Sequence, residues 1–413
     1  MTLLAPLIAT LLMLAGTIDS PMKIELTRAG SGYTLLRAGK PYFIKGAGAE
    51  SRLDELKKLG ANSVRTWGVD DKTGAFLDRC HAQGLTVTIG YWMRKNDGFS
   101  YKNAAMRDEQ AEDFRKRVRQ YRNHPALLMW SVGNEVELGT ESPEVYLQIE
   151  RLAKIVKEED PNHPVMTVLA DMWPEKMAIL LAKCPSLDLL GINSYDGLPT
   201  LHERMRLWTK PYVITEYAFS LPSTVPGAPW VGAVEPSSAE KASSTTSLYQ
   251  NSIVKQKGRV LGGYLFYWGA SKVGTAAFHT THLSTGERLA VVDAMQQLWS
   301  GKAPQKRVPI LSVSSPAKPA RLSPSAALRI AAKATDYAGA TLPIRFEVLP
   351  NDPTKRFVGD FEQKAGVLGS GSFQEDGSVT VPKEPGKYRI LLTTRDKNNG
   401  AATHSISFVV DNK

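Results

Sequence analysis

The chain has 413 residues, 42% of them hydrophobic and 22% charged; that balance excludes a disordered chain and leaves room for one large domain with a small module beside it. Its formal net charge is +10, but Lys and Arg are scattered and form no long block. The surplus reads as a solvated surface, and the sequence makes no case for nucleic-acid binding.

Residues 1–20 form an apolar stretch of signal-peptide length, with small residues from Ala15 to Ser20. No Lys or Arg precedes the stretch, so an uncleaved membrane anchor is the alternative to a cleaved leader. Either implies a secreted or periplasmic protein. No later stretch is long and apolar enough to span a bilayer. Lys23–Leu26 and Tyr33–Leu36 then read as a hairpin suited to cover a barrel floor.

From residue 22 to 300, short apolar runs alternate with stretches of about 3.6-residue periodicity, the pattern of parallel strands joined by helices. The expected strands are Tyr42–Gly46, Ser63–Trp67, Thr86–Tyr91, Leu127–Val132, Val165–Leu169, Leu187–Asn193, Tyr212–Thr215 and Gly262–Tyr267. The expected helices are Arg52–Leu59, Gly74–Gln83, Glu109–Arg122, Pro143–Glu159, Glu175–Ala182, Leu201–Leu207, Ala239–Lys257 and Gly286–Trp299. Eight such units fit a closed (β/α)8 TIM barrel better than an open sheet. Cys80 and Cys184 fall on distant units with no metal-ligand spacing nearby, and read as two separate buried thiols.

Pro304, Pro309, Pro316 and Pro319 punctuate residues 301–321, which read as a linker. Residues 322–413 carry short alternating runs, Ala327–Lys333, Ile344–Leu349, Ser378–Val381, Lys387–Thr394 and Ser405–Val410, separated by turn residues. That is the texture of a small all-β sandwich. Together with Asp336–Leu342 and Pro385–Arg389, it is similar to the immunoglobulin-like and PKD-like modules of secreted enzymes. No catalytic set stands out in it, and a spacer or packing role fits it better than glycan binding.

Two strand ends carry the chemistry. Trp130-Ser131-Val132-Gly133-Asn134-Glu135 ends the fourth strand, and Tyr212-Val213-Ile214-Thr215-Glu216 the seventh. Two carboxylates facing one cleft suit glycosidic cleavage: one, kept protonated, serves the leaving oxygen, and the other, ionised, attacks the anomeric carbon. A separation of about 5–5.5 Å gives a covalent intermediate and retention of configuration.

Asn-Glu ending strand four and Glu ending strand seven resembles the clan A retaining glycoside hydrolases, family 2 foremost on Thr-Glu-Tyr-Ala (215–218), then family 5. The resemblance covers roughly residues 40 to 300. It implies Glu135 as acid/base, Glu216 as nucleophile and Asn134 as the ligand of the sugar 2-hydroxyl. It further implies that Arg65 holds the nucleophile ionised, that Tyr195 hydrogen-bonds Glu216, and that Trp268 forms the floor under the sugar. Trp67, Tyr91, Trp92, Trp173 and Trp230 lie at or beyond strand ends and suit further sugar subsites or rim packing. Glu137 reads as solvated. His279 and His282 follow the eighth strand within possible reach of the cleft, with no carboxylate spacing for a metal.

The expected function is a retaining β-glycoside hydrolase acting on a poly- or oligosaccharide, with no cofactor, no metal and no nucleic-acid partner. A transglycosylase using the same carboxylates and a non-catalytic carbohydrate-binding protein are the alternatives. The intact carboxylate pair argues against the last. The Pro- and Gly-rich segment Ser220–Ser238 is expected to shape the cleft, and short mouth loops elsewhere suggest an open groove cut internally.

Overall fold

The computed structural model describes residues 22–94, 98–138, 140, 142–219, 223–225, 228–270, 280–316, 318–351 and 366–411. The leader reading of residues 1–20 and His279 lie outside the described residues. Among those described, no helix is long and apolar enough to cross a membrane.

Eight parallel strands close a barrel: Ile44–Ala49, Ser63–Arg65, Thr86–Tyr91, Leu127–Asn134, Val165–Ala170, Leu189–Asn193, Tyr212–Tyr217 and Val260–Trp268. Each corresponds to an expected strand, with ends displaced by a few residues. The hairpin Ile24–Ala29/Gly32–Arg37 is also present. Its Ile24 and Leu35 plug the floor against Ile44, Met129, Met166, Leu189 and Val213. Fully burying such a side chain contributes about 1.5–3 kcal/mol. One polar group stands among them: the Tyr264 hydroxyl lies 2.9 Å from Ser63 Oγ and 2.6 Å from Thr88 Oγ1.

Outward-facing strand residues build a second core against the helices. Val64, Val87, Trp130 and Ile192 meet Leu56, Phe114, Ile149, Leu152 and Met295. The helix Glu144–Glu159 supplies Val145, Ile149, Leu152 and Val156, spaced by three and four residues, to this layer. The helix Ser238–Leu248 begins in a capping box between Ser237 and Glu240. It stops earlier than the expected Ala239–Lys257, because the chain widens into a π-helix, Tyr249–Val254, where Tyr249 stacks on Tyr217. The expected Leu201–Leu207 shrinks to the single turn Leu201–Arg204 behind a 3-10 turn containing Pro199. Cys80 and Cys184 are free and buried.

The C-terminal region forms two antiparallel-rich sheets around their own core, including Leu328, Ile330, Ile344, Val348, Ile390, Leu392, Ile406 and Phe408. The linker reading needs correction. Ile310–Ser315 is a strand paired to Ala327–Thr335, and Ala320–Leu322 pairs with Ala401–Val410. Pro309 and Pro316 flank the first of these strands without interrupting its ladder, so the prolines mark strand ends. A strand Gly369–Phe373, not expected from the sequence, borders the larger sheet.

The sandwich docks on the barrel. Ala401 packs on Leu283 and Leu289. Arg395 Nε donates to Glu287 Oε1 at 2.7 Å, and the Thr403 amide to Ser238 Oγ at 3.0 Å. The hairpin Ser223–Val225/Ala228–Val234 leans on the same module: Asn351 Nδ2 donates to the Val231 carbonyl at 3.1 Å, and the Arg321 guanidinium lies 4.3 Å from the Trp230 ring. Trp230 is therefore a contact to the module and not a sugar subsite.

Candidate active site

Alternation along the second barrel strand sends Ser63 and Arg65 inward and Val64 to the helices. Arg65, only 1% exposed, reaches across the mouth to the seventh strand. Its Nη1 donates to Glu216 Oε1 at 2.8 Å and to the Thr215 carbonyl at 3.2 Å. Its Nη2 donates to Asn134 Oδ1 at 2.6 Å. Trp67 follows on the same side, and its Nε1 donates to Glu216 Oε1 at 2.7 Å. Gly48 makes this possible, because a Cβ there would overlap the Trp67 ring. The Tyr195 hydroxyl donates to Glu216 Oε2 at 2.9 Å. Burial, with the Glu216 carboxylate beside it, pushes the Tyr195 hydroxyl well above its ordinary pKa, so it stays a donor. Both oxygens of Glu216 are thus held by donors, and the side chain is 8% exposed.

Glu135 has a different setting. It follows Gly133 at φ 82°, stands itself at φ 50°, and is half-buried. Its amide donates to the Val168 carbonyl at 2.9 Å, where the pairing of the fourth and fifth strands shifts register. That twist turns the Glu135 side chain into the mouth at a modest backbone cost, on the order of 1–2 kcal/mol. Asn193 Nδ2 donates to Glu135 Oε1 at 2.9 Å and to Asn134 Oδ1 at 3.1 Å. Thr215 Oγ1 donates to Asn193 Oδ1 at 2.8 Å, which fixes the orientation of the Asn193 amide. A continuous chain, Glu135–Asn193–Asn134–Arg65–Glu216, therefore joins the two carboxylates. Asn134 Oδ1 takes hydrogen bonds from both Arg65 and Asn193, which fixes the orientation of its amide.

The structure brings Glu135, Glu216, Arg65, Asn134, Tyr195 and Trp67 together. Trp268 does not join them. It is fully buried, edge-on to His282 at 5.2 Å and tilted on Trp299 at 6.3 Å, with Nε1 3.4 Å from the Arg52 carbonyl. A register shift between Leu265 and Trp268 breaks the alternation of the eighth strand and turns Trp268 toward the helices. Phe266 and Tyr267 take the place beside the site, 5.8 and 6.0 Å from the Trp67 ring, and Phe266 lies 6.3 Å from Tyr195. Burial and the Glu50 carboxylate push the Tyr267 hydroxyl up to about 12.

Other expectations change as well. Tyr91 points away from the cleft, against Phe114, and donates to the Gln110 carbonyl at 3.0 Å. Glu137 is not solvated: its side chain is 7% exposed, and its Oε1 accepts from Lys176 Nζ at 2.9 Å and from the Ala170 amide at 2.8 Å. His282 is buried 3.1 Å from Glu55 and faces Trp268, away from the cleft. Trp92 and Trp173 remain at the mouth, about half exposed. Among the described residues no cluster of His, Cys, Asp or Glu could hold a metal ion. Asn193, Thr215, Phe266 and Tyr267 were not singled out from the sequence. Asn193 did carry a signal, since it ends the sixth strand as Asn134 ends the fourth.

Residues 50–228 match the family described as glycosyl hydrolases family 2, TIM barrel domain. The chain is 28% identical over 145 residues to a beta-glucuronidase of Sus scrofa, covering 34% of this chain and 20% of that protein. It is 24% identical over 201 residues to a beta-galactosidase of Bacteroides ovatus, covering 40% of this chain and 23% of that protein. Among solved structures, a family 2 beta-galacturonidase from Eisenbergiella tayi is similar in fold, with a TM-score of 0.52 and 18% identity over 68% of this chain and 54% of that one. The chain thus spans about a fifth of the length of the curated relatives it matches. The resemblance to clan A glycoside hydrolases, and to family 2 in particular, holds over residues 50–228 of the barrel.

Proposed function

We propose that this chain is a retaining β-glycosidase in which Glu216 is the nucleophile and Glu135 the acid/base. The observation that carries this reading is the unequal treatment of two carboxylates at one barrel mouth. Glu216 accepts from Arg65, Trp67 and Tyr195, a setting that holds both of its oxygens in place. Glu135 accepts from Asn193 on a more open ledge, where a leaving group has access.

In the first step Glu216 attacks the anomeric carbon, and Glu135 gives its proton to the departing oxygen. In the second step Glu135 takes a proton from water, which attacks the same carbon and releases Glu216. The Asn134 amino group is oriented to donate to the sugar 2-hydroxyl, and the Trp67, Phe266 and Tyr267 rings suit the C–H face of a sugar. A sugar hydroxyl replacing water would give transfer through the same intermediate. With residues 1–20 read as a leader or anchor, we place the enzyme outside the cytoplasm.

The test is a panel of aryl β-glycosides, starting with the glucuronide and galactoside that the relatives' names suggest and adding galacturonide, glucoside and mannoside. The responding glycone is then offered as its 2-deoxy-2-fluoro derivative. A covalent adduct on the peptide carrying Glu216 supports double displacement. An adduct elsewhere, or turnover with inversion, overturns it.

A further inference from the structure

The strand that carries Glu216 runs on into Ala218 and Phe219, a small apolar cluster on which the Tyr195 ring packs. Phe266 stands edge-on to the same ring at 6.3 Å. Tyr195 lies beyond the sixth strand, Leu189–Asn193, so no ladder holds it. Its ring neighbours decide where the hydroxyl points, and a hydrogen bond weakens steeply once its donor tilts away. The donor to Glu216 Oε2 therefore depends on where Phe219 sits.

Phe219 is in turn placed by a charge. Lys241, on the helix Ser238–Leu248, is only 1% exposed, and its ammonium lies 4.8 Å from the Phe219 centroid. Its partner is the buried Glu235 carboxylate, whose Oε1 accepts from Nζ. Taking two charges out of water is costly, and an apolar pair of like volume is often as stable. Stability is thus a poor reason for an ion pair here. Direction is a better one, because the carboxylate holds the cation over one ring face.

The pair also sits where the sandwich docks. The Thr403 amide donates to Ser238 Oγ, at the start of the Lys241 helix, at 3.0 Å. Upstream of Glu235, Asn351 Nδ2 donates to the Val231 carbonyl at 3.1 Å. Burial lowers the pKa of Lys241, the Glu235 carboxylate opposes this, and Arg389 of the sandwich strand Gly386–Arg395 adds to the lowering. Both members of the pair are therefore carried on segments that the module grips. Lys241 is on the helix, and Glu235 lies just past the hairpin strand Ala228–Val234.

We propose that Glu235 and Lys241 are positioning residues through which the docked sandwich sets, by way of Phe219, the Tyr195 donor on Glu216. This rests on the glycosidase reading and goes beyond it: the module is part of the catalytic unit and not a spacer. Both residues act through the Phe219 ring and not on the substrate.

The full chain is tested on an aryl β-glycoside that the wild type turns over. Glu235→Leu combined with Lys241→Met removes both charges together, a replacement that buried pairs commonly tolerate. It is expected to lower kcat about tenfold with KM nearly unchanged, a part of the 10²–10³-fold that complete loss of such a donor costs. In a Tyr195→Phe background the same replacement should change kcat less than about twofold, because no donor remains to be positioned. Asn351→Leu, which loosens the module's hold on the hairpin, should give a smaller loss that also vanishes in that background. If the paired replacement does not fold, Phe219→Leu keeps the ion pair, removes the intervening ring and is read by the same cycle. Equal losses in both backgrounds, or an unchanged kcat, overturn the positioning role while leaving the glycosidase reading intact. An unchanged kcat in Asn351→Leu alone overturns the module's part in it. No turnover of any aryl glycoside by the wild type overturns the glycosidase reading, and this proposal with it.

Discussion

The ends of the fourth and seventh barrel strands look alike in sequence, an apolar run closing on a glutamate, yet the fold treats them differently. Glu216 lies within its strand, just past a register shift at Ile214, is almost wholly buried and is held on both oxygens. Glu135 sits just past its strand in a left-handed turn, is half-buried, and is contacted through Asn193. Two identical side chains thus acquire different chemistry from backbone conformation and donor supply. The difference leaves one rigidly held group and one accessible group.

The comparison can be broken most severely at Glu216. Glu216→Ala is expected to reduce kcat by at least about 10⁴-fold, the scale of losing a nucleophile. A loss within tenfold would mean that the buried carboxylate is only structural. Glu135→Ala should cost about 10²–10⁴-fold on a sugar leaving group and much less on an activated aryl one. Added azide should then restore turnover and give a glycosyl azide of retained configuration; an equal loss on both substrates would sink the acid/base role.

Trp268 tests the wall next to Glu216. If it is core and not floor, Trp268→Ala lowers stability by about 3–5 kcal/mol in denaturant titrations. KM of the folded fraction should change less than in Tyr267→Ala; the reverse order would return Trp268 to the cleft. Removing one donor from Glu216 by Tyr195→Phe is expected to cost about 10²–10³-fold in kcat without a shift in melting temperature.

The smallest effect lies far from both carboxylates. Arg119 and Arg115 hold the Glu159 carboxyl down to about 2, below its ordinary 4.5. A depressed folded pKa contributes stability above the unfolded value that is lost as pH falls from about 4.5 toward 2. The site is solvent-screened, so the contribution is under about 1 kcal/mol. Glu159→Gln should flatten that part of the urea midpoint against pH; an unchanged slope would show that the arginines contribute nothing there.

Much of the barrel was legible because its periodicities are local. A strand buried on both faces is a short apolar run, and a helix against it shows spacings of three and four, as in Val145, Ile149, Leu152 and Val156. Strand ends could be placed within a few residues, and the fold then carries Arg65, Asn134, Glu135, Tyr195 and Glu216 to one mouth. The direction of individual side chains was less legible. Trp268 was misplaced because a register shift, which depends on the neighbouring strand, reversed its face. Strand Ile310–Ser315 was hidden by its flanking prolines.

By itself the sequence determined the number and order of the barrel strands, the apolar faces of the helices, and which barrel strands end in carboxylates, because these depend on residue type and spacing along the chain. Only the tertiary structure decided that Trp67 joins Arg65 and Tyr195 on Glu216, that Asn193 turns its amide toward Glu135, and that Glu137 and His282 are tied up elsewhere. These contacts join residues far apart in the chain, and their geometry is set by barrel closure and local twist, which no local periodicity encodes.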